Sequence, residues 1–137
     1  MRLTSTGAAA RQKYSHANMS DTKWRKLLSV IRDSGIKLAN ADVKFVDVEH
    51  TQPMTFNEHW PSVSTGSVID TFEFGPVAFR EIEWLEFPNV VKVSRPNKLP
   101  DKLINQDIMA MKTALDARAK FPLELNDNGL RIVGYSN

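Results

Sequence analysis

Two Glu-His pairs, Glu49-His50 and Glu58-His59, stand nine residues apart in this 137-residue chain. Two imidazoles and a carboxylate are ligand types that hold zinc or non-haem iron. A metal site needs at least three converging groups, however, and this spacing matches none of the helical His-x-x-x-His forms. Loop histidines are mostly solvated or bonded to backbone, so His50 and His59 stand as an alternative metal-binding or hydrolytic reading rather than the main one. Glu81 and Glu83 are two apart in a strand-like run and share a face, with Glu86 on the other while the strand stays regular. Paired carboxylates whose pKa values are driven apart can do general acid/base work. Alternating glutamates are equally the pattern of a wetted sheet face. No Gly-x-Ser-x-Gly elbow surrounds Ser67, and the six glycines are too sparse for a phosphate-cradling loop. The chain has no cysteine, which removes thiol nucleophiles, thiolate metal sites and disulfides together. No pattern identifies a reaction, and no cofactor is expected.

The charges suggest binding instead. Residues 1–40 carry a net +6, residues 41–91 a net −7 and residues 92–137 a net +3. Eight of the twelve aromatic residues lie in the acidic middle, among them Trp60, set between His59 and Pro61. Acidic groups speed the encounter with a basic partner, and a desolvated aromatic ring supplies affinity at the centre of a contact. The expected contact residues are Glu49, Glu58, Trp60, Glu81, Glu83 and Glu86, and the expected partner is a basic protein such as a toxin domain. A nucleic-acid module using Lys23, Arg25, Lys26 and Arg32 is a further alternative. It is weakened because the chain without residues 1–18 has a net charge of −1.

These groups need elements to position them. A 42% hydrophobic, 25% charged chain of this length folds as one soluble domain without disulfides. No apolar run approaches the roughly 20 residues that span a bilayer, so no membrane partner is expected. The lack of cysteine fits a reducing, cytoplasmic setting. Residues 1–18 contain no acid and are expected to form a flexible leader or upstream extension, with a single domain over 19–137. Ser20 or Asp21 caps a first helix with Trp24, Leu27, Leu28 and Ile31 on one face and Gly35 as its stop. Trp24 and Trp84 are expected to pack that helix on a sheet.

A strand runs through Val43, Phe45 and Val48 with Asp42, Lys44 and Asp47 facing outward, and residues 49–66 form a long connection. Ser67–Phe74 and Val77–Phe87 are read as a hairpin around Gly75-Pro76. A second helix is expected from about Asp101 to Lys120, after a proline-stiffened linker at 94–100 and a short apolar run at Val90, Val91 and Val93. A second hairpin joins 123–125 to 130–135 through Asn-Asp-Asn-Gly. The predicted fold is α+β, a mostly antiparallel sheet of about four to six strands with two amphipathic helices packed on one face.

Thr22-Lys23-Trp24 opening the first helix, and Glu81-Ile82-Glu83-Trp84 leading to Pro88, resemble the "TKW" helix and "EIEW" strand of a family of small uncharacterised bacterial proteins over residues 20–90. In size and build the chain also resembles bacterial toxin-immunity proteins, which are non-enzymatic. That resemblance implies a protein that neutralises a cognate toxin by binding it, and carries over no particular residues.

Overall fold

The first helix begins where Ser20 Oγ accepts a hydrogen bond from the Lys23 N–H at 3.1 Å, and it buries Trp24, Leu27, Leu28 and Ile31 as their spacing predicts. Gly35, with φ of 74°, turns the chain out of it in the left-handed region. The computed structural model describes residues 14–36, 38–55, 68–71 and 73–137. In chain order the elements are β1 (His16–Ala17), α1 (Asp21–Asp33), β2 (Asn40–Phe45), β3 (Gln52–Thr55), β4 (Val68–Thr71) and β5 (Gly75–Ala78). A 3-10 turn at Phe79–Glu81 then leads into β6 (Ile82–Pro88), β7 (Val90–Val93), β8 (Lys102–Asn105), α2 (Ile108–Asp116), β9 (Leu123–Leu125), β10 (Gly129–Val133) and β11 (Tyr135–Ser136).

Five of the strands form one antiparallel sheet in the order β3-β2-β6-β10-β9. One face is apolar because alternate residues supply it: Ala41, Val43 and Phe45 from β2, Leu85 and Phe87 from β6, Leu130 and Ile132 from β10. Both helices lie on that face, α1 through its buried stripe and α2 through Ile108, Met111 and Leu115. Trp24 stacks on Phe79 with ring centroids 6.2 Å apart. Full burial of a Leu- or Phe-sized side chain stabilises by roughly 1.5–3 kcal/mol before entropy is set against it, so this one interface organises the domain. The fold is the α+β domain that the periodicity predicts.

Three local expectations are corrected. The second helix does not start at 101: Lys102–Asn105 pair with Val90–Val93, and α2 begins only after Asp107, whose side chain accepts from the Ala110 N–H. The apolar run at 90–93 needed a cross-strand partner, and that pairing outweighs a helical period through Ile104. The long strand expected over 77–87 is broken by the 3-10 turn, and Gly75-Pro76 lie inside β5 rather than in the bend. Trp84 does not pack α1, because Leu85 and Phe87 take the core positions of β6 and leave Trp84 on the opposite face.

Residues 1–13 of the expected leader lie outside the described residues. Residues 14–18 are attached to the other end of the chain. His16 and Ala17 pair with Ser136 and Tyr135, Asn18 N–H donates to the Gly134 carbonyl at 2.8 Å, and Tyr14 stacks on Tyr135.

Candidate functional site

On the sheet face away from the helices, cross-strand register sets polar residues in rows. Asp42 of β2 lies opposite Glu86 of β6, Glu86 opposite Arg131 of β10, and Arg131 opposite Glu124 of β9. One step along, Lys44, Trp84 and Val133 form the neighbouring row. Among the described residues, four carboxylates (Asp42, Glu83, Glu86, Glu124) share this face with two bases (Lys44, Arg131), a net charge of −2.

Glu83 joins them through a β-bulge. Phe45 pairs with Ile82 while Lys44 pairs with Trp84, so Glu83 is an extra residue with no counterpart on β2. The bulge puts Glu83 and Trp84 both off the core face, with Glu86 beyond them, which overturns the expected grouping of Glu81 with Glu83 and of Glu86 on the other side. Glu81 instead sits in the 3-10 turn at 1% exposure, its carbonyl accepting from the Val46 N–H at 2.9 Å. A side chain so deeply buried cannot steer a partner from solution.

The bonding on this face is dense. Glu86, itself buried, accepts from Asn126 Nδ2 at 2.7 Å and from Arg131 Nε at 3.1 Å. The Arg131 guanidinium lies 3.8 Å from the centroid of the Trp84 ring, so one cation serves both a carboxylate and an aromatic face. Glu83 accepts from Lys44 Nζ at 3.3 Å and from the Tyr14 hydroxyl. Burial, the hydrogen bond to Glu83 and its charge all push the Tyr14 phenol above its usual range. These pairs are partly sheltered, so salt screens them less than an exposed ion pair.

Asp42 differs from its neighbours. It is half-buried, and its carboxylate has no hydrogen-bond partner among the described residues. Burial first, and the charge of Glu86 second, raise its pKa. An acid raised on folding binds its proton more tightly in the native state, so its ionisation costs stability as pH climbs from about 4 through the folded pKa. Asp42→Asn should therefore stabilise the protein at neutral pH, by less than about 1 kcal/mol because solvent screens a half-exposed group. Thermal melts should show this gain shrinking as the pH is lowered below the ordinary carboxylate range. A gain equal at every pH would refute the assignment.

Of the residues read from the chain as contacts, Glu83 and Glu86 are brought together here. Glu49 is exposed on the β2–β3 connection beside His50, which is also exposed. Glu58, His59 and Trp60 lie outside the described residues. No three metal-ligating side chains converge among the described residues, and none of the helices there is long and apolar enough to cross a membrane. The outward Asp42 and Lys44 were legible from alternation. Tyr14, Asn126 and Arg131 were not, because only pairing between distant segments delivers them.

A separate cavity of about 250 Å³ opens at the start of α1, lined by Met19, Asp21, Trp24, Phe79, Arg80 and Tyr135 among others. Its wall is fixed where the Tyr135 hydroxyl donates to the Arg80 carbonyl at 2.8 Å.

No curated protein and no solved structure matches the chain. One family match extends over residues 6–137 and so takes in most of the segment expected as a leader. That span makes the chain a member of the family of unknown function DUF6678.

Proposed function

We propose that this chain is a non-enzymatic binding protein that neutralises a basic protein partner, in the manner of an immunity protein with its cognate toxin. The observation that supports this reading is Asp42. It is a half-buried carboxylate beside a second one, Glu86, whose cation, Arg131, is already engaged. A lysine or arginine from a partner would give Asp42 a bonded cation and relieve its repulsion with Glu86, an interaction missing among the described residues. Trp84, half-buried under Arg131, is the adjacent aromatic surface, with Glu124 exposed at the rim.

The contact set is thus Asp42, Glu83, Trp84, Glu86 and Glu124, with Glu49 further along the chain and Glu58 and Trp60 from its acidic, aromatic middle. Glu81 acts through the fold alone. Stopped-flow association with a basic toxin domain, sought first in the coding sequences beside this one, tests the reading. Glu124→Lys should slow association severalfold and flatten its dependence on salt. Trp84→Ala should weaken the complex by roughly 10- to 100-fold, mostly through faster dissociation. Rates that ignore both changes, in variants that melt like the parent, would remove this face from the contact.

A further inference from the structure

The β7–β8 ribbon is the least covered part of the described chain. Val90, Val93, Leu99 and Leu103 are four of the six exposed large hydrophobic residues among those described, with Leu103 at 60% and Leu99 at 51% exposure. Lys92, Arg95, Lys98 and Lys102 are exposed among them, against the single acid Asp101, so residues 90–105 carry a net +3. The ribbon is held at both ends. At its base, Asn89 N–H donates to the Asn128 carbonyl at 2.7 Å and Gln106 N–H to the Asn89 carbonyl at 2.8 Å. At its tip, Asn97 and Lys98 both have positive φ, as primed hairpin turns require, and Arg95 Nε donates to the Pro100 carbonyl at 2.7 Å. A preformed arm carrying apolar residues and positive charge in the open loses little entropy on docking.

The observations narrow the occupant. Cross-strand register puts Val90, Lys92 and Leu103 on one face of the ribbon, while Val93 shares the other with buried Val91, so a partner meets chiefly the face of Val90 and Leu103 and the tip. A phosphate backbone would satisfy the cations while leaving Val90 and Leu103 wet, whereas the polar sheet face sets Trp84 and Val133 in one row beside its acids. Two arms pairing edge to edge would set +3 against +3. The polar sheet face is the complement: it is net −2, with no cation bonded to Asp42 among the described residues and with Trp84 beside it. We propose that the β7–β8 arm docks on the polar sheet face of a second copy of this chain, each copy giving its arm and receiving the other's. A reciprocal exchange of this kind is two-fold symmetric and closes at the dimer. It rests on the proposed reading of that face as a receiver of basic chain, and it makes the homodimer a competitor of the foreign partner for the same surface.

Sedimentation equilibrium of the full chain at low and high salt tests it. The parent should form a dimer that weakens as salt is raised. Leu103→Asp, and separately Lys92→Glu with Lys102→Glu, should each weaken self-association at least about tenfold. Lys92 and Lys102 are charged surface sites, and Leu103 is itself largely exposed, so melting temperature should stay within a degree or two of the parent. Glu124→Lys on the receiving face should weaken the dimer as well. A parent that is monomeric at every concentration overturns the proposal, as does a dimer indifferent to the arm variants. A dimer that responds to the arm but not to Glu124→Lys places the arm elsewhere and overturns the docking. Binding to anionic vesicles or to duplex DNA by a monomer assigns the arm to those partners instead. If the face binds the basic domain while the chain stays monomeric, the arm docking fails and the reading of the face survives.

Discussion

Replacing Gln106 with leucine should destabilise the protein by about 3 kcal/mol and lower its melting temperature by about 10 °C. Gln106 is 5% exposed, and its amide joins three segments that are far apart in the chain. Its Oε1 accepts from the Ala39 N–H at 2.8 Å and the Asn40 N–H at 3.3 Å, at the entry to β2. Its Nε2 donates to the Asn40 carbonyl at 3.2 Å and to the Pro88 carbonyl at 2.7 Å, at the end of β6. Leucine has a similar volume, so packing is nearly kept while four backbone groups lose their partner. The cost of an unmade bond is the desolvation of each group left behind, about 1–3 kcal/mol for a fully buried one, and these are only partly buried. Glutamate should be worse than glutamine by nearly as much, because a carboxylate can accept from the two N–H groups but faces two carbonyls with nothing to donate. Chemical denaturation of both variants checks this. Stability within 1 kcal/mol of the parent in Gln106→Leu would mean that water replaces the amide without loss. The base of the β7–β8 arm hangs on the same residue, so hydrogen exchange at Asn89 and Gln106 should quicken even under conditions where the rest of the fold persists.

Gly134→Ala should cost a similar amount, about 3 kcal/mol, for a different reason. A Cβ at this position would stand 2.5 Å from the Ile82 carbonyl oxygen and 2.9 Å from that of Glu83. Both obstacles are backbone, so no side chain can swing aside. The Gly134 N–H donates to Glu83 O at 2.7 Å, and the added methyl would push that strand away and break the bond. Because Glu83 is the bulge residue, the damage should reach the polar face: Trp84 should lose its fixed place under Arg131, seen as a shift in tryptophan emission. It should also loosen the Tyr14 contact on Glu83 and the Asn18 bond to Gly134. An alanine variant that melts with the parent, and keeps its emission, would show that the approach of β10 to the bulge is looser than these distances imply.

The two sites explain what could be read in advance. Helix α1 was legible because its signals are local: a capping serine, an i, i+3, i+4, i+7 stripe and a glycine stop fall within sixteen residues. The β9–β10 hairpin was legible for the same reason, its Asn-Asp-Asn-Gly turn lying between two short apolar runs. The second helix was overextended because Ile104 fits a helical stripe with Ile108, Met111 and Leu115 as well as it fits a strand. Only Val90–Val93, about a dozen residues earlier, decide between them. Gln106 was invisible inside that supposed helix, since nothing local distinguishes a glutamine that bridges β2 and β6 from one in water.

By itself, the sequence determined the α+β class, the first helix and its buried stripe, the pairing of the final hairpin, and an acidic, aromatic middle. All of these depend on residue type and on neighbours a few positions away. The tertiary structure decided which acids that middle presents. Glu81 went into the interior, Glu86 to Arg131, Glu83 through a bulge to Lys44 and Tyr14, and Asp42 was left beside Glu86 without a bonded cation among the described residues. The physical reason is register. One extra residue in β6 reverses the face of what precedes it, and the charges that meet across the sheet come from positions 42, 86, 131 and 124, whose alignment no short-range pattern encodes.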